Sequence, residues 1–191
     1  MERVVSNVVA GLWMIWLVFW WWGSRHTKDT VRREAAGSRL AYLVPLMLAG
    51  LLLSIVRIPF TDVSLRLYES SPAASLIELV AVALGLGFSV WARLHLGTNW
   101  SGIVTVKRDH ELIRSGPYAI TRHPIYSGIL LAFAGMAVGQ GSVSGGLAVV
   151  LVAIALVRKL RTEERFMLDQ FGQAYEQYRR DVPALMPGLR I

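Results

Sequence analysis

The chain alternates long apolar stretches with short polar ones. Residues 4–22, 40–58 and 73–92 are nearly unbroken runs of aliphatic and aromatic side chains. Each is close to the roughly 20 apolar residues that a helix needs to cross about 30 Å of hydrocarbon. A fourth region, 125–157, holds two shorter apolar runs split by Gly139-Gln140-Gly141-Ser142. Each run is short for a full crossing, so the region reads as two tilted spans or a re-entrant hairpin, and both return the chain to the side it left. The first run exceeds a signal-peptide core, and no small-x-small cleavage site follows Trp20-Trp21-Trp22. It is therefore expected to be a retained span ending in an aromatic belt.

Cap and breaker residues refine this pattern. Ser38 is the expected N-cap of the second span, and Ser70-Ser71-Pro72 starts the third. Between 94 and 124, Gly97, Gly102, Gly116 and Pro117 break the chain into turns, and the extended run 103–106 is too brief to suggest a sheet. After the hairpin, a polar helix is predicted over 159–180. Met167, Phe171, Ala174, Tyr175 and Tyr178 form one stripe on it, which packs on the domain or lies in the lipid interface. Gly172 weakens that helix and Pro183 ends it. The expected fold is an all-α integral membrane protein of about five transmembrane helices, the last two a short hairpin, with a C-terminal amphipathic helix. One domain is expected over 1–191, with three spans in 1–92 and the polar loop, hairpin and terminal helix in 93–191.

Composition agrees: 191 residues at 54% hydrophobic, with mean hydropathy +0.46, are too apolar for an ordinary soluble domain. Charge then sets orientation. Of the 20 Lys and Arg, 17 fall in the segment after span one, the segment after span three, or the tail, leaving Arg3, Arg57 and Arg66 for the opposite side. The positive-inside rule puts the N-terminus outside, and the 110–126 loop and C-terminus in the cytoplasm. A pI near 10.2 then reads as a surface for anionic lipid heads, not nucleic acid. The absence of cysteine excludes disulfides, thiolate metal sites and cysteine nucleophiles.

Candidate chemistry lies in the polar segments. In Arg122-His123-Pro124-Ile125-Tyr126, Pro124 suits a first helical turn, with His123 near the N-cap and Tyr126 one turn deeper. Free amides and the helix dipole there favour an anion, and Arg122 and His123 can add charge-assisted donors. The same pentapeptide also reads as an interfacial anchor. His110 alone reads as a surface or capping residue, and no close His/Cys pair or HExxH points to a metal. Glu163-Glu164 stands among Arg158, Lys159, Arg161 and Arg165, either as solvated helix pairs or with one carboxylate free for a ligand ammonium or hydroxyl pair. Gly85 and Gly87 permit close helix packing or leave room for a ligand against the backbone. Glu78 is an ionisable group within a span.

Together, HELIRSGPYAITRHPIYSG, the Glu-Glu pair after a hydrophobic hairpin, and FGQAYEQYRRDVP resemble the isoprenylcysteine carboxyl methyltransferase family, which is itself similar to the phospholipid methyltransferases. The resemblance covers roughly 91–187. It implies a membrane enzyme using S-adenosyl-L-methionine, held by His110, Glu111, Leu112 and Ile113, by Tyr118, by His123, Pro124, Ile125 and Tyr126, and by Glu163 with Glu164 beside it. Gly85 and Gly87 match a membrane Gly-x-Gly of related enzymes more loosely. Where the family often has a substrate-binding arginine, this chain has Lys159, flanked by Arg158 and Arg161. Lysine lacks the bidentate fork, so which of the three positions the substrate stays open. A carboxylate acceptor needs only a cation to position it, whereas an amine must first lose a proton. The expected acceptor is lipid-like and comes from the bilayer, an isoprenylcysteine carboxylate ahead of an amino lipid or a small thiol. A membrane reductase using NADPH and a non-enzymatic transporter or scaffold are the rival readings.

Overall fold

The computed structural model describes residues 2–25, 30–33, 36–55, 66–69, 71–100, 105–107 and 111–186. Its helices are α1 (Glu2–Gly23), α2 (Ala36–Ile55), α3 (Pro72–Leu96), α4 (Pro124–Gln140), α5 (Val143–Phe171) and α6 (Gln173–Asp181). One short ribbon joins them, β1 (Thr30–Arg33) paired antiparallel with β2 (Thr105–Lys107). Thr105 and Val106, from a run too brief to suggest a sheet, thus enter a strand by pairing with the α1–α2 connection, while 103 and 104 lie outside the described residues.

Three helices, α1, α3 and α5, are long and apolar enough to cross a membrane, while α2 and α4 contain shorter apolar segments. Large apolar side chains such as Met14, Ile15, Met47, Leu51, Leu84 and Val150 face outward along these helices, as lipid contact demands. This is an integral membrane protein with a helical fold. The three expected early spans fall within or overlap α1, α2 and α3. α2 begins at Ala36, ahead of the expected Ser38 cap, and the span's last residues, 56–58, lie outside the described residues. At α3 the expectation holds in detail: Ser71 is the N-cap, its hydroxyl accepts from the Ala74 amide, and Pro72 fills the first turn.

The hairpin differs from its expected form. α4 has 17 residues, but α5 has 29 and runs without a break from its apolar half into the charged segment that follows. Residues 143–160 supply about 27 Å of helix, and the rest projects beyond as a polar extension. The separate helix expected over 159–180 is therefore two pieces. Its first half is the end of α5, and the chain turns at Gly172, whose φ of +52° breaks the helix before α6. Only glycine adopts that backbone readily. The expected stripe is divided accordingly, and its last members, Tyr175 and Tyr178, are buried within the protein.

Helix contacts run in the order α1, α3, α4, α5, α2. The most extensive interface is α3 with α4. At its crossing Gly85 and Gly128 face each other so closely that a Cβ on either would run into the other's carbonyl oxygen. Helices in lipid gain little from burying apolar surface against each other, so small residues that let backbones approach are the productive contact. One cluster, with Ala49, Tyr126, Val152 and Leu156, joins α2, α4 and α5. A second, with Val9, Val82, Leu86 and Ala132, joins α1, α3 and α4. Trp13 fastens α1 to α4 as well, donating to Met136 Sδ at 3.2 Å and meeting Phe133 edge-on.

Candidate functional site

The polar groups converge where α4 begins and the apolar half of α5 ends. His123 is the N-cap of α4 and Pro124 its first residue, so a missing amide costs nothing there. Tyr126, one turn on, stacks its ring on His123 at 5.4 Å and 4°. Glu163 and Glu164 approach from α5. His123 Nδ1 lies 3.5 Å from Glu163 Oε2, and Nε2 lies 3.3 Å from Glu164 Oε1. The Tyr126 hydroxyl donates to Glu163 Oε1. Lys159, one turn before Glu163, places its ammonium 5.3 Å from the Tyr42 ring centre and 5.4 Å from that of Tyr126. These are cation–π distances.

The two glutamates have unlike surroundings. Glu164 is buried: Arg122 donates to its Oε1 from Nε at 2.8 Å and Nη2 at 2.7 Å, and Arg179 Nε lies 3.4 Å from Oε2. Arg122 spends its other nitrogen on the carbonyls of Arg179, at 3.1 Å, and Val182. Its guanidinium is thus committed within the protein, where the sequence had offered it as a donor to a bound anion. The Glu163 side chain keeps 24% of its surface, with its oxygens turned toward Tyr126 and His123.

Protonation follows from the geometry. Burial opposes charge on His123, but hydrogen bonds and attraction from Glu163 and Glu164 outweigh it and raise its pKa above the usual value. Burial likewise works against the charge on Glu164, yet His123 and Arg122 hold its pKa down to about 2. The pKa of Glu163 is lowered too, with His123 and Lys159 overcoming its burial. The geometry therefore favours protonation of His123 between two carboxylates, with Lys159 beside Glu163 and Arg122 and Arg179 beside Glu164.

The preceding turn closes one side. Tyr118 is buried in the 3-10 turn Gly116–Ala119, and its carbonyl accepts from the Tyr178 hydroxyl at 2.6 Å. Gly116, at φ +59°, sits against the His95 ring, where a Cβ would come within 3.0 Å of it. His95 also meets Ser115 Oγ at 2.9 Å. The C-terminal segment closes another side. Pro183 and Ala184 carbonyls accept from the amides of Arg122 at 2.9 Å and His123 at 3.0 Å, and Thr121 Oγ1 donates to Ala184 at 2.6 Å.

The structure thus assembles His123, Pro124, Tyr126, Lys159, Glu163 and Glu164 at one place and Tyr118 in the adjoining turn. Ile125 turns into the core among α2, α4 and α5. Glu111 is exposed and Leu112 and Ile113 half-buried in the strand-free approach to the turn; His110 lies outside the described residues. Arg158 and Arg161 are exposed, unlike Lys159. Gly85 belongs to the α3–α4 crossing, and Gly87 is exposed with open space around it. Among the described residues no group of His, Asp and Glu could hold a metal. Sequence reasoning missed Tyr42, Arg179 and residues 182–185. Tyr42 gave no signal within an apolar run, and the tail stood within the FGQAYEQYRRDVP motif without a role for Arg179 or the residues after it.

The model of the phospholipid methyltransferase family matches residues 74–174, which include most of α3, all of α4 and α5, and His123, Tyr126, Lys159, Glu163 and Glu164. The chain belongs to this family. Among its relatives, the protein-S-isoprenylcysteine O-methyltransferase of Schizosaccharomyces pombe is 36% identical over 99 residues, 50% of this chain and 42% of that one. Methanethiol S-methyltransferase 2 of Bradyrhizobium diazoefficiens is 43% identical over 76 residues, 38% of this chain and 27% of that one. A solved structure of the eukaryotic intramembrane Ras methyltransferase ICMT (isoprenylcysteine carboxyl methyltransferase) has TM-score 0.56 and 25% identity, covering 77% of this chain and 52% of that one. The chain thus spans about half the length, or less, of these relatives. The resemblance read from the motifs is upheld by these matches.

Proposed function

We propose that this protein is an S-adenosylmethionine-dependent methyltransferase of a lipid-like acceptor, working at the cytoplasmic face of the membrane. Carboxyl O-methylation of an isoprenylcysteine-type substrate is the favoured reaction. The observation that carries the reading is the partly exposed Glu163 side chain, oriented by His123 and Tyr126 where two apolar helices meet. The donor set fits the cofactor: Glu163 can accept from an ammonium or ribose hydroxyls, and Lys159 can meet a carboxylate. The Arg122 and His123 amides, expected to face an anion, are instead taken by the Pro183 and Ala184 carbonyls. The bound cofactor supplies an already activated methyl group. What remains for the protein is to align the acceptor and exclude water.

The protonation pattern favours a carboxylate acceptor. Both His123 nitrogens face carboxylates, the pKa of Glu163 is lowered, and that of Tyr118 is raised by burial and by Glu163. None of these is an idle base near neutral pH. An acceptor that arrives as an anion needs none, whereas an amine must shed a proton. Lys159 is the cation best placed to meet such an anion, since Arg158 and Arg161 are exposed. The name of the Bradyrhizobium relative keeps a thiol acceptor as the second reading.

Calorimetric titration of S-adenosylhomocysteine into the detergent-solubilised protein tests the proposal. Binding by the wild type, weakened at least about tenfold in Glu163→Ala by loss of a charge-assisted contact, is expected. NADPH binding in its place would point to a reductase, and loss of neither activity nor binding in a His123→Ala, Glu163→Ala double variant would remove the site from the chemistry. Comparing a prenylcysteine analogue with its methyl ester and with methanethiol then separates the acceptors.

A further inference from the structure

Glu164 and the chain beyond α5 have a role that the cofactor reading leaves unassigned. Glu164 is 7% exposed, and both its oxygens face cations already, Oε1 toward Arg122 and Oε2 toward Arg179. Arg122 in turn reaches past Glu164 to the carbonyls of Arg179 and Val182. Directly alongside, the amides of Arg122 and His123 donate to Pro183 and Ala184, and the Ser127 hydroxyl donates to Leu185. Three elements far apart in sequence, the 121–123 turn, α5 and the segment from Arg179 to Leu185, meet at one carboxylate.

We propose that Arg122, Glu164 and Arg179 form an ionic latch that fastens the C-terminal segment across the start of α4 and fixes the His123 ring toward Glu163. In this division of labour Glu163 faces the ligand, and Glu164 and Arg179 are positioning residues. The latch explains why a carboxylate paired with two arginines sits beside one that is more exposed and held by Tyr126 and His123. It also explains the course of residues 182–185, whose carbonyls occupy the amides of Arg122 and His123. Charged and titratable neighbours of the cluster are Glu163 and Lys159 on α5, Tyr126 on α4, Tyr118 in the 116–119 turn, Tyr42 on α2, and Tyr175, Tyr178 and Arg179 on α6. Of these, the carboxylates are what can hold a proton on His123, so removing the charge of Glu164 alters the ring directly.

The inference rests on the proposed cofactor reading only in one arm of its test. The first arm needs no ligand: histidine NMR titration of the full chain in micelles, with His123 assigned from a His123→Asn sample. Wild-type His123 is expected to titrate above an ordinary histidine, and Glu164→Gln, isosteric but uncharged, to bring the midpoint down. An unmoved midpoint overturns the latch. The second arm measures S-adenosylhomocysteine affinity by calorimetry. Arg179→Ala is expected to weaken it by about tenfold, the scale of one charge-assisted hydrogen bond, with recovery in Arg179→Lys and no change in the control Arg180→Ala. Equal affinity in wild type and Arg179→Ala overturns the positioning role. Abolished binding in Glu164→Gln with an unmoved His123 midpoint makes Glu164 a ligand contact instead, and also overturns it. Failure of the wild type to bind would sink the cofactor reading while leaving the first arm to decide the latch.

Discussion

The α3–α4 seam and the α4–α5 mouth lie on the same helix and hold together by opposite means. The seam removes side chains: Gly85 and Gly128 bring two backbones into contact, and Gly135 lies where a Cβ would come 2.6 Å from Ala81 Cβ. The mouth adds them: a histidine, two glutamates, two arginines and a lysine share one small volume. Lipid explains the first, since helices there gain from close packing more than from hiding apolar surface. Desolvation explains the second, because a buried charge is tolerated only when paired and hydrogen-bonded. A helix can be fixed at its middle by what is missing and at its end by what is matched.

Breaking the mouth should have the largest effect. Glu164→Ala leaves Arg122 buried without its carboxylate, and a loss of about 3–5 kcal/mol is expected, read as a lowered thermal unfolding midpoint in micelles. A drop no larger than that of Glu163→Ala would erase the distinction between the two glutamates. The seam comes next: Gly128→Val forces backbones apart and should cost about 1–3 kcal/mol, the usual range for overpacking. Milder still is acid. The pKa of Glu164 is held at about 2 against an ordinary 4.5, so its stabilisation is complete above 4.5 and is lost as pH falls toward 2. His123 has the reverse sign: its raised pKa means its contribution is present below the ordinary 6.5 and fades as pH climbs through the higher folded value. Unfolding midpoints across pH should therefore decline at both ends, and Glu164→Gln should blunt both declines. The smallest change is expected from Gly87→Ala, which has open space around it and should shift the midpoint little, about 0.5 kcal/mol upward from helix propensity.

The hydrophobic pattern disclosed the helices because each run must outlast the bilayer, and Ser71-Pro72 and His123-Pro124 disclosed two starts because cap chemistry is local. It misjudged α5 because a helix does not stop where hydrocarbon does: nothing between Arg158 and Phe171 breaks it, and only Gly172 does. The site was half legible. Glu163, His123 and Tyr126 stand within recognisable motifs, whereas Tyr42 and Arg179 join them through tertiary contacts that no local spacing encodes. The glycines show the same limit, since Gly85 and Gly87 are two residues apart in sequence but face a packed helix and open space respectively.

The contact order α1, α3, α4, α5, α2 bears on how the protein is made. Sequential elements usually pack as neighbours, yet here α1 and α2, consecutive in sequence, stand at opposite ends of that order. Neither gains its main partner until later parts of the chain arrive: α1 waits for α3 and α4, and α2 for α5. Both early helices must therefore dwell in the bilayer unaccompanied, which the outward apolar faces of α1 and α2 equip them to do. Of the described helices, α3, α4 and α5 gather the two that precede them.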